Sequence, residues 1–168
     1  MRLASVIVIS TGLLLSGCSS QLPAPHTRAD DHEVNSRVRI PASEDSEGVQ
    51  VYSLQNPAVR QLIAQAEDAE YAGDLDQASE YLERALRIHP RDPQLLQHMA
   101  EIKLQKADYQ QALNFAVRSY ETGPRVGQIC SRNWRTISVA REHMNDANGA
   151  NEAVKNATQC MNTRPKGY

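Results

Sequence analysis

From Asn56 onward, apolar residues recur three or four positions apart, the period of an amphipathic helix, and the runs are separated by small or turn-forming residues. The pattern also repeats on a longer scale. "GDLDQASEYLERALRIHPRDP" at 73–93 falls on "ADYQQALNFAVRSYETGPRVG" at 107–127 with an offset of 34 residues. Ala78 meets Ala112, Pro90 meets Pro124, Gly73 meets Ala107 and Arg91 meets Arg125; upstream, Leu62 meets Leu96 and Ala66 meets Ala100. After a four-residue insertion a third copy follows, with Trp134 in the place of Leu62, Ser138 in that of Ala66, Asn145 in that of Gly73, Ala150 in that of Ala78 and Ala157 in that of Ala85. Small residues at 66, 78, 100, 112, 138 and 150 let two antiparallel helices approach closely. Gly73 and its counterparts turn the chain, and Pro90 and Pro124 end the second helix, where no N–H is available to continue it. Leu82, Leu86, Met99, Phe115, Tyr120 and Ile137 fill the space between. One such pair cannot bury its apolar face alone, and three is about the minimum for a stable stack.

This spacing resembles the tetratricopeptide repeat. The resemblance implies an all-α helix-turn-helix solenoid over residues 57–164, with copies at about 59–92, 93–126 and 131–164, and a short tail at 165–168. The third copy departs most, because "NDANGANEAVKN" is rich in Asn and poor in large apolar groups and is the weakest helix by propensity. Cys130 falls at the start of its first helix and Cys160 near the end of its second, ends that are neighbours in an antiparallel pair. A disulfide there would close a loop of about 30 residues and contribute roughly 3–4 kcal/mol on the chain-entropy account. Two free buried thiols are the alternative, and a thiol count on unreduced protein separates the two.

Before the repeats the pattern is different. The apolar run from Leu3 to Leu15 is short and contains Ser5, Ser10 and Thr11, whereas a membrane-crossing helix needs roughly 20 apolar residues. Arg2, the short run and the small residues after it have the layout of an export signal. Leu15-Ser16-Gly17-Cys18 resembles the lipobox of bacterial lipoproteins. That implies a signal peptide over 1–17, a lipid on the Cys18 thiol, and, with Ser19 rather than Asp next, sorting to the outer membrane. Each buried lipid CH₂ adds about 0.8 kcal/mol, so several chains make a stable anchor. With Cys18 committed to lipid, Cys130 and Cys160 are an even pair in an oxidising compartment.

Residues 18–56 hold that cysteine and a linker. Pro23, Pro25 and Pro41 interrupt it, and six acidic residues outnumber three arginines without apolar periodicity, which predicts disorder. The 38 residues after Cys18 could extend to roughly 130 Å, with a typical end-to-end distance of about 35 Å as a coil. "DDHE" at 30–33 reads as a solvated acidic patch rather than a metal site.

Composition adds mainly exclusions. Without Arg2 the chain carries 17 basic and 20 acidic residues, a net charge of −3, which gives no reason to expect nucleic acid. No activated nucleophile, zinc-binding helix or phosphate-cradling glycine loop is present, so neither catalysis nor a metal is expected, and no cofactor beyond the lipid on Cys18. His89 lies at a helix end; His98 and His143 sit on helices and could be groove residues, although a solvated surface histidine is commoner than a catalytic one. The repeat family's groove positions imply a partner-binding surface of Arg60, Ile63, Glu67 and Tyr71, then Gln94, Gln97, Glu101 and Gln105, then Arg132, Arg135 and Val139. That surface is polar and mixed in charge, suited to a peptide or protein. Arg118, Arg125, Arg132, Arg135 and Arg141 share a 24-residue window with one acidic residue, Glu121, and could be ordinary surface charge or a patch that steers an acidic partner.

Taken together, the lipobox, the acidic proline-bearing linker, "LERALRIHPRDP", "YQQAL" and "RNWRTISVAR" resemble the LpoP-type activators of class A penicillin-binding proteins. The resemblance implies a non-enzymatic outer-membrane lipoprotein, facing the periplasm, that reaches through peptidoglycan to stimulate a bifunctional synthase. The alternative is a scaffold or pilotin-like factor for assembling envelope complexes. Such scaffolds tend to carry more than three repeats and have less need of a long linker.

Overall fold

The computed structural model describes residues 32–40 and 56–161; the export signal, Cys18, the rest of the linker and the tail at 165–168 lie outside the described residues. The described chain forms a short helical turn, α1 (Val34–Val38), and six longer helices: α2 (Pro57–Tyr71), α3 (Leu75–Ile88), α4 (Pro93–Gln105), α5 (Tyr109–Thr122), α6 (Gly127–His143) and α7 (Ala147–Met161). The six pair as α2/α3, α4/α5 and α6/α7, the three repeats of an all-α solenoid. None of the described helices is long and apolar enough to cross a membrane.

Each turn inside a repeat uses the same local chemistry. The three aligned positions Gly73, Ala107 and Asn145 all adopt left-handed backbone, with φ of 79°, 56° and 63°. The residue after each is an Asp whose carboxylate caps the following helix. Asp74 accepts from Gln77 N at 3.0 Å, Asp108 from Gln111 N at 3.4 Å, and Asp146 from Gly149 N at 2.9 Å. Between the first two repeats, Asp92 caps α4 by accepting from the amides of Gln94 and Leu95, and Pro93 fills the first helical position, where no donor is needed. The four inserted residues do not make a longer loop. They become the first turn of α6, which therefore starts at Gly127, earlier than the expected 131, and runs for 17 residues.

Packing changes along the stack. Around the first repeat, Val59, Leu62, Leu75, Leu82, Leu95, Met99 and Ile102 form one buried cluster. The last helix contributes only Ala150, Ala153, Ala157 and Cys160 to the interior. Cys160 is bonded to Cys130, with Cα atoms 5.7 Å apart, so a covalent link fastens the pair that has least apolar side-chain volume.

Residues 32–40 depart from the expected disordered linker. Val34 and Val38 are 1% and 0% exposed and pack against Leu104, Ala112, Val139 and Ala140, with Tyr109 at the edge. Arg39 N donates to Val34 O at 3.0 Å, closing a single turn wider than an α-helix. The composition of the whole linker concealed this pair. Two valines four residues apart share one face of a helical turn, and burying each contributes about 1.5–3 kcal/mol, enough to offset ordering a few residues once a matching apolar surface is supplied.

Candidate functional site: the concave groove and the segment seated in it

The first helices of the three repeats, α2, α4 and α6, present their side chains to the groove, and α1 lies against its α4 and α6 side. The centre is Glu101 on α4, whose side chain is fully buried. Arg132, one helix away on α6, donates to both of its oxygens, with Nη2 at 2.6 and 2.7 Å and Nε at 3.0 Å. Arg39 of the linker adds Nε at 2.7 Å, and Gln97 adds its amide at 2.8 Å. Burial alone would disfavour the charge on this carboxylate; the two guanidiniums and the Gln97 amide outweigh it and hold Glu101 below the usual carboxylate range. Fork-to-fork pairing of this kind is geometrically selective for arginine.

Glu70 extends the arrangement toward the first repeat. It accepts from Arg39 Nη2 at 2.8 Å and from the Gln105 amide at 2.5 Å, and its second oxygen lies 2.9 Å from His98 Nε2. Burial pushes against ionisation here as well, but the His98 hydrogen bond, the Arg39 charge and the Gln105 amide together bring Glu70 down to about 2. Arg39 thus spans carboxylates from two repeats, and their field raises its own pKa against the effect of burial.

The far end of the segment is held by α6. Arg37 pairs with Glu142 at 2.6 Å and with its own neighbour Glu33 at 2.6 Å. His143 Nε2 lies 2.8 Å from the second oxygen of Glu33, and its ring stacks on Tyr109 with centroids 4.3 Å apart. Arg135 Nη1 donates to the carbonyls of Val38 and Ile40, at 3.2 and 3.1 Å, so backbone as well as side chains is recognised. Burial and the nearby Arg132 charge depress the pKa of Arg135.

Among the described residues, no segment lies across the other half of the groove. A cavity of about 440 Å³ adjoins Arg39 and is lined by Ile63, Glu67, Glu70, Gln94, Gln97, His98 and Arg132, with Gln128 and Ile129 from the first turn of α6. The residues assigned to the groove from sequence therefore divide. Glu101, Arg135 and Val139 contact the seated segment, while Arg132 and Gln105 support it through Glu101 and Glu70. Ile63, Glu67, Gln94 and Gln97 line the open part, while Arg60 and Tyr71 lie on the exposed surface of α2 outside both. Glu70, Ile129 and the residues of α1 join the site without being marked by the repeat pattern. Of the two histidines that surface or groove could claim, His98 lines the groove facing Glu70, and His143 stays exposed while facing Glu33.

The arginine-rich window does not form one free patch. Arg132 and Arg135 turn into the groove, Arg141 donates to Gly149 O at 2.9 Å, and Arg118 and Arg125 lie over the rings of Phe115 and Tyr120. Among the described residues no cluster of His, Cys, Asp or Glu could hold a metal ion. Of the "DDHE" stretch, Asp30 and Asp31 lie outside the described residues and Glu33 is engaged with Arg37 and His143.

Two comparisons place this architecture. Residues 69–118 match the tetratricopeptide repeat family. The solved structure of the globular C-terminal domain of P. aeruginosa LpoP is similar to this chain at 33% identity with a TM-score of 0.59, covering 62% of this chain and 98% of that one. No curated protein matches the sequence.

Proposed function

The chain belongs to the family of tetratricopeptide-repeat proteins that includes LpoP, and from that premise we propose that it is an outer-membrane lipoprotein that binds and stimulates a class A penicillin-binding protein in the periplasm. The observation that carries the reading is the 33% identity to the LpoP globular domain, maintained over 98% of that domain. The Leu15-Ser16-Gly17-Cys18 lipobox supports a lipid on Cys18 and attachment of the protein to a membrane surface through it. A groove already built to hold a peptide segment by paired charges and a small apolar seat supports a protein partner.

The activator would act by binding. A partner engaged by the repeats pays no covalent chemistry; its active conformation is favoured by as much as the repeats bind that conformation better than the inactive one. The test is glycan polymerisation by a purified class A synthase with and without soluble chain 19–168, alongside a direct binding measurement. Binding with a faster rate is the expected result. A synthase that neither binds nor changes rate overturns the reading.

A further inference from the structure

We propose that the groove is a binding site for a short, arginine-bearing amphipathic segment of the partner protein, and that residues 32–40 are a resident substitute that such a segment displaces. The inference rests on the activator reading for the partner's identity but not for the existence of the site. The resident segment shows what the groove selects. Two β-branched residues four apart fill the seat made by Leu104, Ala112, Val139 and Ala140. An arginine one residue beyond the second valine reaches two carboxylates on different repeats, Glu70 and Glu101. Arg135 reads the backbone at the segment's end through two carbonyls. Charge sign, apolar spacing and chain direction are each specified, which a surface that merely shelters a linker does not require.

The seat is also built for exchange. Glu101 keeps Arg132 and Gln97 when Arg39 leaves, so the groove does not lose its carboxylate's partners with the segment. Glu70 likewise keeps His98 and Gln105. Beyond Arg39 the open cavity continues the same groove with Glu67 and Glu70 on its wall, so an incoming basic segment can start there and advance. Fifteen residues join Ile40 to Asn56 and can extend to about 50 Å, which lets the segment leave without disturbing α2. Because the segment is tethered, its effective concentration is of millimolar order for a linker of this kind, so a free copy of the same sequence competes poorly until the resident is weakened.

Displacement would lengthen the arm. With α1 seated, only residues 19–31 separate Cys18 from the folded body, a contour of about 45 Å at most; with α1 released, all 38 residues are available, roughly 130 Å. Occupation of the groove by the partner and extension of the tether would then be one event.

The test uses a fluorescein-labelled peptide of residues 31–41, DHEVNSRVRIP, and soluble chain 19–168 in two forms, unchanged and with V34S/V38S. The expected result is at least tenfold tighter binding to the substituted chain. A peptide carrying R39E should lose that binding, a control that leaves the protein untouched. R39E in the chain is a second, independent release variant and should open the site likewise. Equal affinity for unchanged and released chains, or indifference to R39E in the peptide, overturns the site. A dimer of the unchanged chain by light scattering that V34S/V38S converts to monomer makes a second copy the occupant and also overturns the proposal. For the partner, purified synthase should displace the labelled peptide from the released chain. Synthase that binds while the peptide stays in place contradicts this inference alone, whereas synthase that does not bind contradicts the activator reading and leaves the peptide site standing.

Discussion

The two ends of the groove are made of similar residue types and are in different states. At the α4 and α6 end, carboxylates and a small apolar seat are satisfied by residues 32–40 of the same chain. At the α2 end, Glu67, Gln94 and Ile63 face a cavity of about 440 Å³ with no segment of the described chain across it. Among the described residues, the end that holds a segment is the one with buried carboxylates bridged to arginine and an apolar pocket one helical turn long.

The largest expected effect comes from removing the floor beneath the filled end. Reduction of the Cys130–Cys160 bond, or C130S/C160S, should lower stability by about 3–4 kcal/mol, read by thermal or urea unfolding, because α7 contributes alanines rather than large side chains. The first repeat, with its leucine-rich cluster, should persist to higher denaturant than α6/α7 once the bond is gone, visible as a second transition.

Next, Glu101→Ala and Glu67→Ala compare the two ends directly. Loss of the buried Glu101 carboxylate leaves Arg39 and Arg132 facing one another; since both remain partly exposed, the cost should be about 2 kcal/mol, below the range for a fully buried pair. Glu67 is exposed, and its removal should change stability by less than about 0.5 kcal/mol. Similar losses at both positions would mean that the two ends of the groove are equally engaged.

Acid should open the filled end. Glu70 has its folded pKa lowered from 4.5 to about 2, so the stabilisation it provides is complete above about pH 4.5 and is lost as pH falls through about 2. Glu101 and Glu33 are shifted in the same direction and add to the trend. Amide exchange at residues 34–39 should accelerate over that window, and Glu70→Gln should weaken the dependence.

The smallest effect concerns the turns. Ala107 holds φ +56° where its counterpart in the first repeat is glycine, so Ala107→Gly should gain about 1 kcal/mol, and Gly73→Ala should lose a similar amount. Urea midpoints at constant m-value would check both.

Much of the scaffold is legible in one sequence because repetition reveals it. Gly73, Ala107 and Asn145 align before any coordinate is known and turn out to share one backbone conformation. The cysteine pair is legible as well, as a consequence of where the ends of an antiparallel pair lie. What is not legible is any contact whose two sides are far apart and individually ordinary. Val34, Val38 and Arg39 sit in a stretch whose average composition predicts disorder, and their fit depends on Leu104, Val139 and Glu101, more than 60 residues away. The repeat pattern marks groove positions, yet Glu70 lies between the marked positions Glu67 and Tyr71 and so carries no signal of its own. The residue next to it, Tyr71, is instead 96% exposed. Periodicity locates faces; it does not tell which residues on a face meet a partner.

On this reading the groove, now partly filled by the chain's own segment, is the surface a partner uses. Hydrogen exchange on soluble chain 19–168, with and without saturating class A synthase, tests it most directly. Synthase should increase exchange at residues 34–39 while protecting the open groove wall around Gln94–His98 and Gln128–Arg132. Unchanged or slower exchange at 34–39, with new protection confined to α3, α5 and α7, would contradict it.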